Sequence, residues 1–103
     1  MKHSVKIYQL KNDKLVEHKF LFVRLSWLPN GIKDVDINNY NCIYETELND
    51  GIYTQIGDIL EEVFKIFNIY PPSDFIGHSL SISDIVEIDG EKYYCDIIGF
   101  KKL

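Results

Sequence analysis

The sequence predicts a small single-domain α+β fold: an antiparallel sheet, with β-hairpins at both ends, packed by one amphipathic helix near residues 54–68. Three observations predict it. The chain has 103 residues, enough for one hydrophobic core and too few for two. One segment alone carries apolar residues at helical spacing, while its flanking segments alternate with the period of a strand. The strands are grouped before and after that helix instead of alternating with several helices, which is the α+β pattern. Residues 1–103 therefore read as one domain.

The first element is Val5-Lys6-Ile7-Tyr8-Gln9-Leu10, which alternates as a strand, followed by the polar turn Lys11-Asn12-Asp13-Lys14. A second strand over residues 15–23 would complete an N-terminal hairpin. Residues 24–28 either continue extended or form one helical turn before Pro29-Asn30-Gly31 stops them. Tyr40-Asn41-Cys42-Ile43-Tyr44-Glu45 reads as a third strand, and Asn49-Asp50-Gly51 closes that element.

The helix is the best-defined element. At 100° per residue, Ile56, Ile59, Leu60, Val63, Phe64, Ile66 and Phe67 fall within an arc of about 160°, with Asp58, Glu61, Glu62 and Lys65 opposite. Thr54 can cap its start, Asp58 favours the positive end of the dipole, and Glu61 precedes Lys65 in the favourable order. Pro71-Pro72 forbids continuation. Residues 73–83 are loop-like. Asp84-Ile85-Val86-Glu87-Ile88 and Lys92-Tyr93-Tyr94-Cys95-Asp96-Ile97 are strands joined around Asp89-Gly90, a pair that tolerates the positive φ of a tight hairpin turn. One of Tyr93 and Tyr94 should be buried, because neighbours on a strand face opposite ways. Gly99-Phe100 then bends the chain.

Composition narrows the function classes. Hydrophobic residues at 46% and charged residues at 26% exclude a disordered chain. No apolar run approaches the roughly 20 residues of a membrane span, and no apolar leader follows the polar start, so a cytoplasmic protein is expected. Fifteen isoleucines, ten lysines against one arginine and no alanine point to an AT-rich genome. Net charge is −5, but residues 1–33 carry +5 and residues 34–100 carry −12. Such an acidic portion repels phosphate backbones and attracts basic proteins, which argues against direct nucleic-acid binding. It also serves solubility, the commonest use of a charged surface.

Few residues carry chemistry. Gly77-His78-Ser79-Leu80-Ser81-Ile82-Ser83-Asp84 has the residue types of a serine hydrolase, but they are sequence neighbours without a nucleophile elbow. Gly77, His78, Ser79, Ser81, Ser83 and Asp84 are therefore read as a structural loop whose hydroxyls and carboxylate bond nearby backbone amides. Asp34-x-Asp36 lacks the glycine and distal glutamate of a calcium loop. His3, His18 and His78 are scattered, and Cys42 and Cys95 lie far apart, read as reduced thiols packed like small apolar residues. No catalytic, metal or cofactor residue is expected, and no cofactor. Tyr8, Phe20, Phe22 and Trp27 beside the basic N-terminal stretch are read as core rather than a single-strand stacking platform. Tyrosines set among carboxylates suit a protein interface. The candidate partner-binding residues are Tyr44, Glu45, Glu47, Asp50, Tyr53, Asp58, Glu61 and Glu62.

One stretch is recognisable. Phe67-Asn68 and Pro72-x-Asp74-Phe75-x-Gly77-His78-Ser79-Leu80-Ser81-x-Ser83-Asp84, together with Tyr93-Tyr94-x-Asp96-x-x-Gly99-Phe100 and the earlier Asn39-Tyr40-x-x-x-Tyr44, resemble the YodL-like domain. The resemblance covers roughly residues 5–103. It implies a small protein of Firmicutes plasmids, phages or conjugative elements, and it brings no catalytic residues with it. Gly77 and Gly99 would be turn positions, and Phe75 and Phe100 core.

Three functions follow as expectations. The first is a non-enzymatic accessory protein of a mobile element, a monomer or small homo-oligomer that binds a protein. Its most concrete form, by analogy of size and charge, is an anti-CRISPR or other anti-defence inhibitor of a CRISPR or restriction nuclease. The second is an interaction module of a plasmid replication or conjugative-transfer complex. The third is a hydrolase centred on His78, Ser79 and Asp84.

Overall fold

The computed structural model describes residues 2–13, 20–49 and 55–103. In chain order they form β1 (Lys2–Leu10), three 3-10 turns (Leu25–Trp27, Gly31–Asp34 and Ile37–Asn39), β2 (Tyr40–Asn49), α1 (Ile56–Ile69), β3 (Ile85–Ile88), β4 (Glu91–Cys95) and β5 (Phe100–Lys102). The five strands make one antiparallel sheet in the order β2-β1-β3-β4-β5.

The expected partner of β1 is not the one it has. Its two edges are taken by β2 and β3, with Val5 opposite Thr46 on one side and Ile88 on the other. Of residues 15–23, those up to 19 lie outside the described residues, and 20–23 form no strand. The Val23 N–H bonds back to the Phe20 carbonyl at 3.3 Å, and Phe22 has φ +57°. The N-terminal hairpin is thus replaced by long-range pairing. Residues 20–23 belong instead to a covering segment.

The C-terminal hairpin forms as expected: Asp89 and Gly90 both take positive φ, and Ile85 pairs with Tyr94 and Ile88 with Glu91. Gly99 bends the chain with φ +68°, and a fifth strand that periodicity did not reveal follows at once. Three residues are too few to show an alternation.

α1 docks on one face of the sheet. Ile59, Leu60, Val63 and Phe67 are buried against Val5, Ile7, Val86, Ile88, Tyr93 and Leu80. Burying each such side chain contributes about 1.5–3 kcal/mol before chain entropy is counted. Ile66 packs at the margin, and Ile56 and Phe64, at the rim of the apolar arc, stay exposed. Thr54, expected to cap the helix, lies outside the described residues. Gln55 occupies the cap position without a side-chain hydrogen bond.

The other face is covered too. Tyr40, Ile85 and Tyr94 form a second core cluster with Tyr8, Leu10, Leu25 and Val35. Residues 20–39 lie over it and are pinned by three bonds: Phe22 N–H to Ser83 Oγ at 3.0 Å, Leu25 N–H to Asp96 Oδ1 at 3.0 Å, and Tyr94 hydroxyl to the Val23 carbonyl at 2.5 Å. This double cover is why Tyr93 and Tyr94 are both buried, where one was expected. Phe22 and Trp27, expected in the core, are exposed, and the Arg24 guanidinium stacks 4.3 Å from the Trp27 ring. Cys95 is buried as expected, whereas Cys42, on the edge strand β2, is exposed.

Candidate functional site

Two sets of residues were candidates, and the structure treats them differently. The loop motif closes on β1. Gln9 follows Val5 and Ile7 on the helix-facing side of that strand, and its side chain is the centre of the cluster. Its amide donates to the His78 carbonyl at 2.8 Å and to Asp84 Oδ2 at 3.1 Å, and its Oε1 accepts from the His78 N–H at 3.2 Å. Asp84 Oδ2 also accepts from the Ser81 N–H at 2.9 Å, as a backbone-bonding role predicts.

Asp84 is wholly buried, and its other oxygen, Oδ1, has no hydrogen-bond partner among the described residues. That oxygen faces His78 Nε2 at 3.8 Å, an ion-pair distance and not a hydrogen bond. Burial pushes the carboxyl up to about 7, against the opposing pull of the Ser81 N–H, His78 and Gln9. On the other side of the ring, Nδ1 lies 2.7 Å from the Ser79 carbonyl and 3.2 Å from the Gln9 amide nitrogen. Both ring nitrogens thus face protein groups. Ser79 meets the ring through its main-chain carbonyl, which also accepts the Ser81 hydroxyl at 2.7 Å. The loop brings His78 and Asp84 together without forming a serine–histidine pair.

Gly77 lies at a bend, and close neighbours constrain it as well. Its φ is ordinary, but a Cβ there would collide with Ile43 Cδ1 and lie 2.5 Å from Gln9 Oε1. Ser83, wholly buried with φ +84°, passes its carbonyl to the Tyr40 hydroxyl at 2.6 Å. Gln9 and Tyr40 were not singled out for this site. The signal for Gln9 was present: a polar side chain two positions beyond Val5 and Ile7, on their face.

The acidic candidates fall into two groups. Asp58, Glu61 and Glu62 line the outer side of α1 with Lys65. Glu45 and Glu47 alternate with Tyr44 and Leu48, which pack toward the helix, so their carboxylates lie on the opposite face of the sheet. Glu47 meets Lys2 at 3.5 Å across the strand pair. Tyr44 is held in place: its ring sits edge-on to Phe67 and Phe75, and its hydroxyl donates to Asp74 at 2.8 Å. Asp50 and Tyr53 lie outside the described residues. Asp34 and Asp36 are engaged locally, by Asn30 and by the Asn38 N–H. Among the described residues, no group of three or more His, Cys, Asp or Glu side chains is placed to hold a metal ion.

The sequence signature of the YodL-like domain matches residues 4–103. The chain belongs to the YodL-like domain family. It is also similar to "Uncharacterized protein R785" of Acanthamoeba polyphaga mimivirus, 32% identical over 115 residues that span 100% of this chain and 93% of the viral protein. No solved structure matches it significantly. Within this YodL-like domain, the motif from Gly77 to Asp84 is the joint where the loop after α1, the centre of the sheet and the covering segment meet. No helix among the described residues is long and apolar enough to cross a membrane.

Proposed function

We propose that this YodL-like domain acts by binding a protein and not by catalysis, as an accessory factor of a mobile genetic element. Its most concrete role is inhibition of a defence nuclease through occupation of a basic nucleic-acid channel. The observation that carries this reading is the contrast between the two candidate sets. The loop with catalytic residue types spends its groups on holding the fold, whereas Glu45, Glu47, Asp58 and Glu61 stand exposed on two surfaces. Exposed carboxylates speed encounter with a basic partner and lose effect as salt rises. The occurrence of a relative in a virus agrees with a mobile-element setting.

The test is guide-directed DNA cleavage by a Gram-positive type II CRISPR nuclease, titrated with the purified domain at two salt concentrations. Inhibition that saturates near one domain per nuclease and weakens with salt is expected. Reversing Asp58, Glu61 and Glu62 to lysine in one variant, and Glu45 and Glu47 in another, identifies the face that acts. Unimpaired cleavage at large excess of the domain overturns inhibition of this nuclease class. Inhibition left intact by both variants overturns the electrostatic account.

A further inference from the structure

β2 is a long strand at the edge of the sheet, and the hydrogen-bond pattern tells which of its groups face outward. Ser4 donates its N–H to Asp89 Oδ1 and accepts from the Asp89 N–H, both at 2.9 Å, so its backbone faces β3. Backbone direction alternates along a strand, so Val5 and Ile7 face β2, where they lie opposite Thr46 and Tyr44. The Lys11 N–H, which reaches the Asn39 carbonyl at 2.8 Å on that same side, fits the alternation. It follows that Thr46 and Tyr44 spend their backbone groups on β1, while Glu45 and Glu47 direct theirs away from the sheet. Among the described residues, no strand pairs with that outer edge.

We propose that the outer edge of β2 receives an extended basic segment of a protein partner as a sixth strand, with the backbone of Glu45 and Glu47 forming the new ladder and their carboxylates reading lysine or arginine two positions apart. This rests on the protein-binding reading above and names how that binding is made. Strand addition draws affinity from main-chain bonds and specificity from alternate side chains. Here the alternate side chains are two glutamates on one face, both exposed, at the outermost position of the sheet. The cations on that face lie inward: Lys6 and Lys92 flank Glu87 at 3.7 and 3.2 Å. Among the described residues, Lys2 meets Glu47 and the Cys42 thiol meets Glu45, and exposed contacts of that kind are readily exchanged.

Charge also selects against the obvious alternative occupant. A second copy pairing β2 with β2 in antiparallel register would gather the glutamates of both copies on one face, and like charges opposite one another destabilise a strand pair. Long edges are ordinarily guarded by proline, lysine or a bulge. β2 has a register shift opposite Ile7 and Tyr8, but no proline and no lysine. The edge therefore repels its own kind and, among the described residues, offers its outward backbone groups to a basic strand.

The experiment uses the whole domain and a short peptide of alternating lysine and valine, with the matching glutamate–valine peptide as control. Amide hydrogen exchange is read residue by residue. The lysine peptide is expected to slow exchange at Glu45 and Glu47, leave Tyr44 and Thr46 unchanged, and lose affinity with salt. Glu47→Pro removes an outward N–H without touching the ladder to β1 and is expected to weaken binding about tenfold or more. The paired change Glu45→Gln and Glu47→Gln keeps the backbone, so it tests the charge even if the proline variant misfolds, and it should abolish the salt dependence. Protection confined to other strands, equal binding of the glutamate peptide, or β2 protection arising from self-association without peptide overturns the proposal. Peptide binding at β2 with no nuclease inhibition sinks the inhibitory role and leaves the edge site standing. Nuclease inhibition retained by a folded Glu47→Pro that no longer binds peptide does the reverse.

Discussion

Asp84 and His78 face each other across 3.8 Å, the carboxylate sealed from water and the imidazole partly open to it. One oxygen of Asp84 is held by Ser81 and Gln9, and among the described residues the other faces the His78 ring without a hydrogen bond. The carboxyl is therefore a desolvated group with half its partners, and its ionisation is coupled to the fold.

That coupling sets a pH dependence. The folded carboxyl titrates at about 7 against an ordinary value of 3.8, so between these values the folded state holds a proton the unfolded chain has released. Its contribution to stability is complete below the lower value and is lost as pH rises through the upper one, by at most about 4 kcal/mol. Asp84→Asn cannot ionise, so its unfolding free energy should fall less than that of the unmodified protein between pH 4 and 8, on the order of these limits. Urea denaturation of both proteins across the range measures it, and parallel curves would show that burial does not raise this group.

Gly77 and Gly57 should respond oppositely to alanine. At Gly77 the added methyl meets Ile43 and Gln9, so Gly77→Ala is expected to destabilise by about 1–3 kcal/mol. Gly57, in the first turn of α1, has open space around it, and alanine there should stabilise by up to about 1 kcal/mol. Chemical denaturation of the two variants decides both, and a shift of the same sign at both positions would contradict the packing.

Tyr40→Phe removes the hydroxyl that satisfies the buried Ser83 carbonyl. A loss of about 1–3 kcal/mol is expected, the cost of leaving a buried acceptor without its donor. Tyr70→Phe, at an exposed ring beyond the end of α1, should change stability little and serves as the comparison.

The two thiols should differ in access. Cys42 is exposed, whereas burial holds the Cys95 thiol up at about 12. A thiol-reactive disulfide reagent should titrate Cys42 in the native protein and Cys95 only after denaturation. Equal native rates would mean that β4 opens far more readily than its packing implies.

Much of the fold was legible because it is local. The apolar arc of α1 and the Asp89-Gly90 turn each lie within a few consecutive residues, and both form where periodicity and turn chemistry placed them. The partner of β1 was not legible, because nothing in Val5 or Ile7 names Thr46 or Ile88 as the residue opposite. The apolar run after Lys14 suggested the nearest available strand, and the covering segment, whose residues lack a regular period, was invisible. In the loop motif, Asp84 accepts from the Ser81 N–H, and the Ser81 hydroxyl donates to the Ser79 carbonyl. Gln9 was marked by its polar side chain on the face of Val5 and Ile7, but its partner Asp84, 75 residues away, leaves no trace in spacing.

The central position of β1 has a consequence for the order of events during synthesis. The strand made first lies between β2 and β3, and Ser4 is bonded to a residue 85 positions later. A nascent chain that ends before β3 leaves one edge of β1 bare and the inner side of α1 without half its floor. Cooperative assembly must therefore wait until nearly the whole domain has left the ribosome. The wide separation of its contacts places it among the slower folders of its size.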